Sequence, residues 1–132
     1  MDKTLKLSVK LPATPEVLYN AWLDSREHSL FTGAEAVVDN KTGGKFTAWD
    51  GYILGTTLEL HPPTKIIQSW RTTEFPKDAP DSRLEVLLEQ KGDETLLTLV
   101  HSGFPEGTED DYEQGWIDYY FTPMKKYYGS KK

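Results

Sequence analysis

The sequence predicts an α+β fold in which a curved antiparallel sheet of about seven strands wraps around a long C-terminal helix. Three observations predict it. Residues 4–11 alternate between apolar and polar side chains, and two short helical segments follow. Residues 35–101 contain further strand-like segments joined by short turns, which favours antiparallel pairing of neighbours. Residues 108–129 have their apolar side chains at helical spacing.

The first strand is predicted over residues 4–11, where Leu5 and Leu7 lie on one side and lysines on the other. Pro12 ends this strand. A short helix follows, with Thr14 as N-cap and Pro15 at its first position. Its inner face is predicted to comprise Val17, Leu18, Ala21 and Trp22.

A second short helix is predicted to begin with Asp24 or Ser25 as N-cap, to carry Leu30 and Phe31, and to stop at Gly33. Six strands then follow in the pattern. They are predicted over residues 35–38, 44–49, 52–61, 65–72, 83–90 and 95–101. The pair Asp50-Gly51 is a strong signal for a type I′ hairpin turn.

The C-terminal helix is predicted to begin at Thr108, with Asp111 in the capping-box position, and to end at Gly129. Pro123 removes a backbone donor and predicts a kink. Gly115 is unfavourable in a helix interior, so close approach of another backbone is expected there. The apolar stripe comprises Tyr112, Trp116, Tyr120, Met124 and Tyr128.

This order of elements is the helix-grip architecture, and its curled sheet is expected to leave a pocket against the C-terminal helix. Such pockets are mostly apolar with a few polar groups. The predicted ligand-pocket residues are Trp49, Tyr52, Trp70, His101, Trp116, Tyr120 and Met124. The same aromatic residues are also what a tightly packed core would contain, so the sequence leaves both interpretations open for each of them.

Two pairs of neighbouring residues have alternative interpretations. Trp49 and Tyr52 flank the predicted turn, where they either line the mouth of the pocket or form a cross-strand aromatic pair. Trp70 and Arg71 point to opposite faces of their strand. Trp70 is either pocket wall or core. Arg71 either lies at a partner surface or pairs with a carboxylate such as that of Glu59 or Glu85.

His101 is the polar residue of most interest, because it shares the apolar face of its strand with Leu97 and Leu99. An inward histidine is either a hydrogen-bonded core residue or a functional group. Ser102 follows directly and faces the other side, so the two cannot act as nucleophile and base. No histidine pair has metal-ligand spacing, so no metal site and no cofactor is expected, and no catalytic residue is assigned.

Composition limits the classes of function. The net charge of −6 disfavours binding to nucleic acid and to anionic membranes. The chain contains no cysteine, which excludes disulfides and thiolate metal sites. Residues 1–12 have no continuous apolar run, so they predict neither a signal peptide nor a membrane span. A cytoplasmic location is therefore expected.

Five short motifs resemble, in order and spacing, those of a known family. They are GGKF at 43–46, DGYILG at 50–55, SWR at 69–71, HSGFP at 101–105 and GWIDYYF at 115–121. The family is the activator of heat-shock protein 90 ATPase homologues, within the START-like, pollen-allergen-like superfamily. The resemblance runs from about residue 4 to residue 129 and implies that residues 1–132 form a single START-like helix-grip domain.

The resemblance implies a co-chaperone-like domain, similar to the C-terminal domain of the eukaryotic two-domain co-chaperones, with heat-shock protein 90 as partner. The predicted pocket adds a second hypothesis, a non-enzymatic module that binds a small hydrophobic molecule. A third hypothesis rests on fold analogy alone. It is a cyclase- or dehydratase-like enzyme with His101 as general base and a tyrosine hydroxyl as acid.

Overall fold

The computed structural model describes residues 4–105 and 107–129 of the chain. Their elements, in chain order, are β1 (Thr4–Leu11), α1 (Pro15–Trp22), α2 (Ser25–Thr32), β2 (Val37–Val38), β3 (Lys45–Ala48), β4 (Ile53–His61), β5 (Lys65–Thr72), β6 (Ser82–Lys91), β7 (Glu94–Ser102), α3 (Glu109–Trp116), a π-helical segment (Ile117–Phe121) and α4 (Thr122–Gly129). Within these ranges no helix is long and apolar enough to cross a membrane.

The strands form one seven-stranded antiparallel sheet in the order β1-β7-β6-β5-β4-β3-β2. Strands β2 to β7 follow one another as a meander, and β1 closes the far edge by pairing with β7, from Thr4 opposite Ser102 to Leu11 opposite Thr95. The curved sheet wraps around the C-terminal helix, which confirms the predicted helix-grip architecture. Alternation along β7 places Thr95, Leu97, Leu99 and His101 in the interior, as predicted.

The two small helices have the predicted caps but not all of the predicted inner residues. The side chain of Thr14 accepts a hydrogen bond from the Val17 amide, and that of Asp24 accepts one from the Glu27 amide. Val17 was expected inside but is 49% exposed, and Tyr19 is buried instead. The buried stripe of α1 is therefore rotated from the stripe that the pattern predicted.

The predicted turn at Asp50-Gly51 is present and holds the end of β3 against the start of β4. Both central residues have positive φ, 59° at Asp50 and 88° at Gly51, as a type I′ turn requires. The Tyr52 amide donates to the Trp49 carbonyl at 3.1 Å. The carboxylate of Asp50 also accepts from the Glu35 amide at 2.9 Å, which ties this turn to the segment before β2.

The C-terminal helix departs from the single kinked α-helix that the sequence predicts. Between α3 and α4 it widens into the π-helical segment, where the Thr122 amide donates to the Ile117 carbonyl. Pro123 has no amide hydrogen, and the wider turn lets the chain pass it without breaking the helix. The predicted capping box is wrong, because the Thr108 hydroxyl donates to the Pro105 carbonyl instead of capping the helix.

Gly115 also has a different role from the predicted one. A Cβ atom at this position would have Cδ2 of Tyr119 as its nearest neighbour, at 3.9 Å, and no backbone of another segment approaches it. Gly55 is the glycine that fits the close-approach argument. A Cβ there would lie 2.0 Å from the Ser69 carbonyl oxygen and 2.8 Å from the Phe46 ring.

His101 attaches the C-terminal helix to the sheet through a chain of hydrogen bonds. The Trp116 indole donates to His101 Nδ1 at 3.2 Å, which leaves the proton of a neutral imidazole on Nε2. His101 Nε2 then donates to the Ser82 hydroxyl at 2.7 Å, and that hydroxyl donates to the Trp70 carbonyl at 2.7 Å. Burial lowers the pKa of His101 to about 3.

His28 makes a second attachment to the C-terminal helix, at Tyr120, one helical turn after Trp116. The Tyr120 hydroxyl donates to His28 Nε2 at 2.8 Å, and His28 Nδ1 donates to the Trp22 carbonyl at 2.8 Å. The Trp22 indole continues the chain by donating to the Gln68 carboxamide at 3.2 Å, which donates in turn to Thr57. Burial lowers the pKa of His28 to about 4.

The lowered pKa values of His28 and His101 predict that the folded protein loses stability in mild acid. Their pKa values in the folded chain lie near 3 and 4, below the ordinary value of 6.5, so the unfolded chain binds more protons between those values and 6.5. Stability is complete above pH 6.5 and falls as the pH drops. The expected loss between pH 7 and pH 5 is roughly 4 kcal/mol for the pair, measured by urea unfolding.

The control for this prediction is His61, an exposed histidine that bonds to Glu59. The variant His61→Gln should keep the wild-type dependence of stability on pH, whereas His28→Gln and His101→Gln should each flatten it. A wild-type stability that is equal at pH 7 and pH 5 would show that the buried imidazoles do not set this dependence.

Gly55 and Gly115 predict opposite effects of the same substitution. Gly55→Ala should destabilise the protein by about 3 kcal/mol, because the new methyl group overlaps the Ser69 carbonyl. Gly115→Ala should be neutral or stabilising by up to about 1 kcal/mol, because alanine is the better helix former and meets only a tyrosine ring edge. Urea unfolding of the two variants checks this, and equal effects would contradict it.

Candidate functional site

A cavity of about 740 Å³ lies between the C-terminal helix and one end of the sheet. The helix contributes α3 and the start of the π-helical segment, and the sheet contributes the β3-β4 turn and β5. The lining residues are Trp49, Tyr52, Ile53, Trp70, Glu74, Pro76, Pro105, Thr108, Asp111, Tyr112, Gly115, Trp116, Tyr119 and Tyr120. Seven of these fourteen residues are aromatic, so aromatic side chains form much of the wall.

The deep wall is a packed cluster of rings from the helix and the sheet. The ring centroid of Trp70 lies 5.4 Å from that of Trp116 and 5.5 Å from that of Tyr112. Trp116 lies 4.9 Å from Tyr120, which is buried. Trp70 is thus both core and wall, and the two interpretations of this residue do not exclude each other.

The outer wall is formed by residues around the β3-β4 turn. Trp49 packs edge-on against Tyr119 at 5.2 Å, and Tyr119 is 56% exposed. The Tyr52 hydroxyl donates to the carboxylate of Glu74 at 2.7 Å. Trp49 and Tyr52 therefore have separate partners, and both line the cavity.

The indole N–H of Trp49 is buried and has no acceptor among the described residues. An unpaired buried donor is unfavourable by about 1–3 kcal/mol.

The charges along the lining are all negative. Glu74 and Asp111 are the charged members, and no lysine, arginine or histidine belongs to the described lining. Burial raises the pKa of the Tyr112 hydroxyl, and the carboxylates of Glu74 and Asp111 raise it further. The electrostatic potential of the two carboxylates therefore extends to the aromatic wall.

Arg71 holds the loop that carries part of this wall. It pairs with Asp81 at 2.7 Å, donates to the carbonyls of Ala79 and Pro76, and stacks over the Phe75 ring at 5.4 Å. The alternative in which Arg71 pairs with a carboxylate is confirmed, but the carboxylate is that of Asp81 and not that of Glu59 or Glu85. The reason is that the loop between β5 and β6 folds back over the guanidinium and supplies nearer acceptors than the neighbouring strands do.

Five of the seven residues predicted for the pocket line this cavity, and two lie behind it. The five are Trp49, Tyr52, Trp70, Trp116 and Tyr120. His101 is 0% exposed and Met124 is 1% exposed, and neither belongs to the lining. His101 is screened by the rings of Trp70 and Trp116, at 4.7 and 5.8 Å.

The geometry gives His101 the role of a structural connector. Both of its ring nitrogens already have protein partners, and its low pKa makes it a weak base at neutral pH. The hypothesis of an enzyme with this histidine as general base therefore finds no support in the position of the residue.

Four side chains that line the cavity were not among the predicted pocket residues, and they include both of its charged groups. They are Glu74, Asp111, Tyr112 and Tyr119. In the sequence, Tyr112 and Tyr119 fit the helical spacing of the C-terminal helix, and Asp111 fits the capping box at its start. The signal for the cavity is the clustering of aromatic residues on one side of that helix. Within residues 4–105 and 107–129, no three histidine or carboxylate side chains form a group that could hold a metal ion.

The sequence matches the family model of activator of Hsp90 ATPase homolog 1-like proteins over residues 12–129. The activator of 90 kDa heat shock protein ATPase homolog 1 of Homo sapiens is 30% identical over 128 residues, which are 96% of this chain. The homologous activator of Dictyostelium discoideum is 30% identical over 115 residues, which are 86% of this chain. The chain spans 38% and 30% of the length of these two curated relatives.

An HSP90 activator from Plasmodium falciparum has a similar solved structure. Its TM-score is 0.86 and its identity 28%, and the match covers 96% of each chain. The match to the family model spans nearly the whole sheet, both small helices and the C-terminal helix. This chain therefore belongs to the family of activator of Hsp90 ATPase homolog 1-like proteins.

Proposed function

We propose that this protein is a binding module that holds a small apolar or aromatic molecule in the cavity between its sheet and its C-terminal helix. The observation that supports this most is the cavity itself, about 740 Å³ in volume with seven aromatic side chains in its lining. Ligand sites of small molecules are concave, mostly apolar and about 300–1,000 Å³ in volume. This cavity has that size and that kind of wall.

The wall is also preformed, which favours binding because few groups must be ordered by the ligand. Trp116 and Tyr120 are held from behind by hydrogen bonds to His101 and His28. A ligand that contacts their faces leaves those hydrogen bonds intact.

Gly115 offers a way to close the cavity without disturbing its walls. Gly115 belongs to the lining, and a Cβ atom there would have only the Tyr119 ring edge, at 3.9 Å, within 4 Å. We expect Gly115→Leu to abolish binding of the neutral fluorescent probe N-phenyl-1-naphthylamine, which the wild-type protein should bind with enhanced, blue-shifted emission. Because leucine also favours the helix more than glycine does, the stability of the variant should be equal or higher.

The matched control is Gln114→Leu, which adds the same side chain at an exposed position next to Gly115 and outside the lining. It should bind the probe as the wild type does. If the wild type does not enhance probe emission at any concentration, or if Gly115→Leu binds the probe normally, the cavity does not bind ligands in the proposed way.

A second candidate function is regulation of heat-shock protein 90, supported by the similarity to the Plasmodium falciparum HSP90 activator. That match covers 96% of this chain and 96% of the chain in the solved structure. The human relative is more than twice as long, since the matched region is 38% of its length. The proposal is that the domain formed by the residues of this chain acts on the chaperone.

The second candidate predicts that the purified protein raises the ATPase rate of heat-shock protein 90 from the same cells in a saturable manner. Gly115→Leu should stimulate the rate as the wild type does, because the substitution lies in the lining of the cavity. The rate that remains with a specific chaperone inhibitor is the background. An unchanged rate at large molar excess of the wild-type protein would remove this candidate.

A further inference from the structure

We propose that the cavity selects cations, so that its preferred ligand is an apolar or aromatic molecule with a protonated amine. This inference rests on the proposed ligand-binding function and names the chemical class of the ligand. Three observations support it. The described lining is rich in aromatic side chains, its charged side chains are all negative, and acidic residues already offset the positive N-terminus of α3.

Aromatic faces attract cations because the π-electron cloud above each ring is negative. The attraction is strongest for tryptophan and acts within about 6 Å of the ring centroid. Trp49, Trp70 and Trp116 all belong to the lining, together with Tyr112 and Tyr119. An ammonium group inside a cavity of this size would lie near several of these rings at once.

The carboxylates of the lining favour the same sign of charge. Glu74 holds the Tyr52 hydroxyl with Oε1, so its second oxygen remains available for a ligand. Asp111 lies on α3. Its charge and the charge of Glu74 both raise the pKa of the Tyr112 hydroxyl. With no basic side chain in the described lining, an anionic ligand would meet two like charges and no counter-ion.

The N-terminus of α3 would favour an anion, and nearby groups of the protein already offset it. The partial positive charge of a helix N-terminus attracts carboxylates. Asp110 and Asp111 occupy the first turn of α3. The Thr108 hydroxyl, which could otherwise bind an anion there, donates to the Pro105 carbonyl.

The experiment uses three probes with one indole skeleton and side chains of similar length. Tryptamine is a cation at pH 7, 3-propylindole is neutral and indole-3-propionate is an anion. Each competes with N-phenyl-1-naphthylamine for the wild-type protein. We expect tryptamine to bind about tenfold more tightly than indole-3-propionate, with 3-propylindole between them.

The double variant Glu74→Gln, Asp111→Asn should bind tryptamine more weakly and indole-3-propionate more tightly, so that the preference shrinks. The first of these substitutions leaves a carboxamide oxygen as acceptor for the Tyr52 hydroxyl, which preserves the wall. Asp110→Asn is the matched control, because it removes an exposed charge from the same helix outside the lining, and it should keep the preference.

The outcomes separate this inference from the function on which it rests. If the naphthylamine binds but the three probes compete equally, or the anion competes best, cation selection is wrong and ligand binding stands. If the naphthylamine itself does not bind, both fail. A preference that survives in the double variant would assign the selection to the rings alone and overturn the role of the carboxylates.

Discussion

The position of the C-terminal helix depends on two buried imidazoles that must remain neutral. His101 accepts a hydrogen bond from Trp116, and His28 accepts one from Tyr120. Only a neutral imidazole has an acceptor nitrogen, so protonation of either ring would remove the bond that attaches the helix. Since Trp116 and Tyr120 also form the deep wall of the cavity, the shape of the cavity is set by polar groups that lie behind it.

The π-helical segment allows both attachments to be made. The apolar stripe repeats every fourth residue from Tyr112 to Tyr128, and a regular α-helix would rotate these side chains by roughly 160° over that length. One extra residue in a single turn removes about 100° of that drift. The segment Ile117–Phe121 supplies this turn directly before Pro123, where the regular ladder would lose a donor anyway. The π-helical turn next to Pro123 thus keeps one face of the helix on the sheet.

Local features of the fold could be predicted from the sequence, and contacts between distant segments could not. The alternation of Thr4–Leu11 and the turn at Gly51 depend on neighbouring residues, and both were predicted correctly. The partner of Arg71 lies in a loop with no periodicity, so the pattern suggested carboxylates on strands instead of Asp81. His28 meets Tyr120 across 92 positions, and no local signal marks that bond. The clustering of aromatic residues in the sequence predicted the aromatic wall of the site, but no sequence pattern predicted the carboxylates of Glu74 and Asp111 in its lining.

The arrangement of polar groups on two sides of the aromatic wall explains how one cavity can be both rigid and accessible. Behind the wall, each histidine is fully paired and anchors one ring to the scaffold. On the cavity side, Glu74 and Asp111 contact solvent, so they add charge without the desolvation cost of a buried carboxylate. Gly115 belongs to the lining and adds no side chain to it. The hydrogen bonds that hold Trp116 and Tyr120 in place therefore lie on the side of the wall that faces away from the cavity.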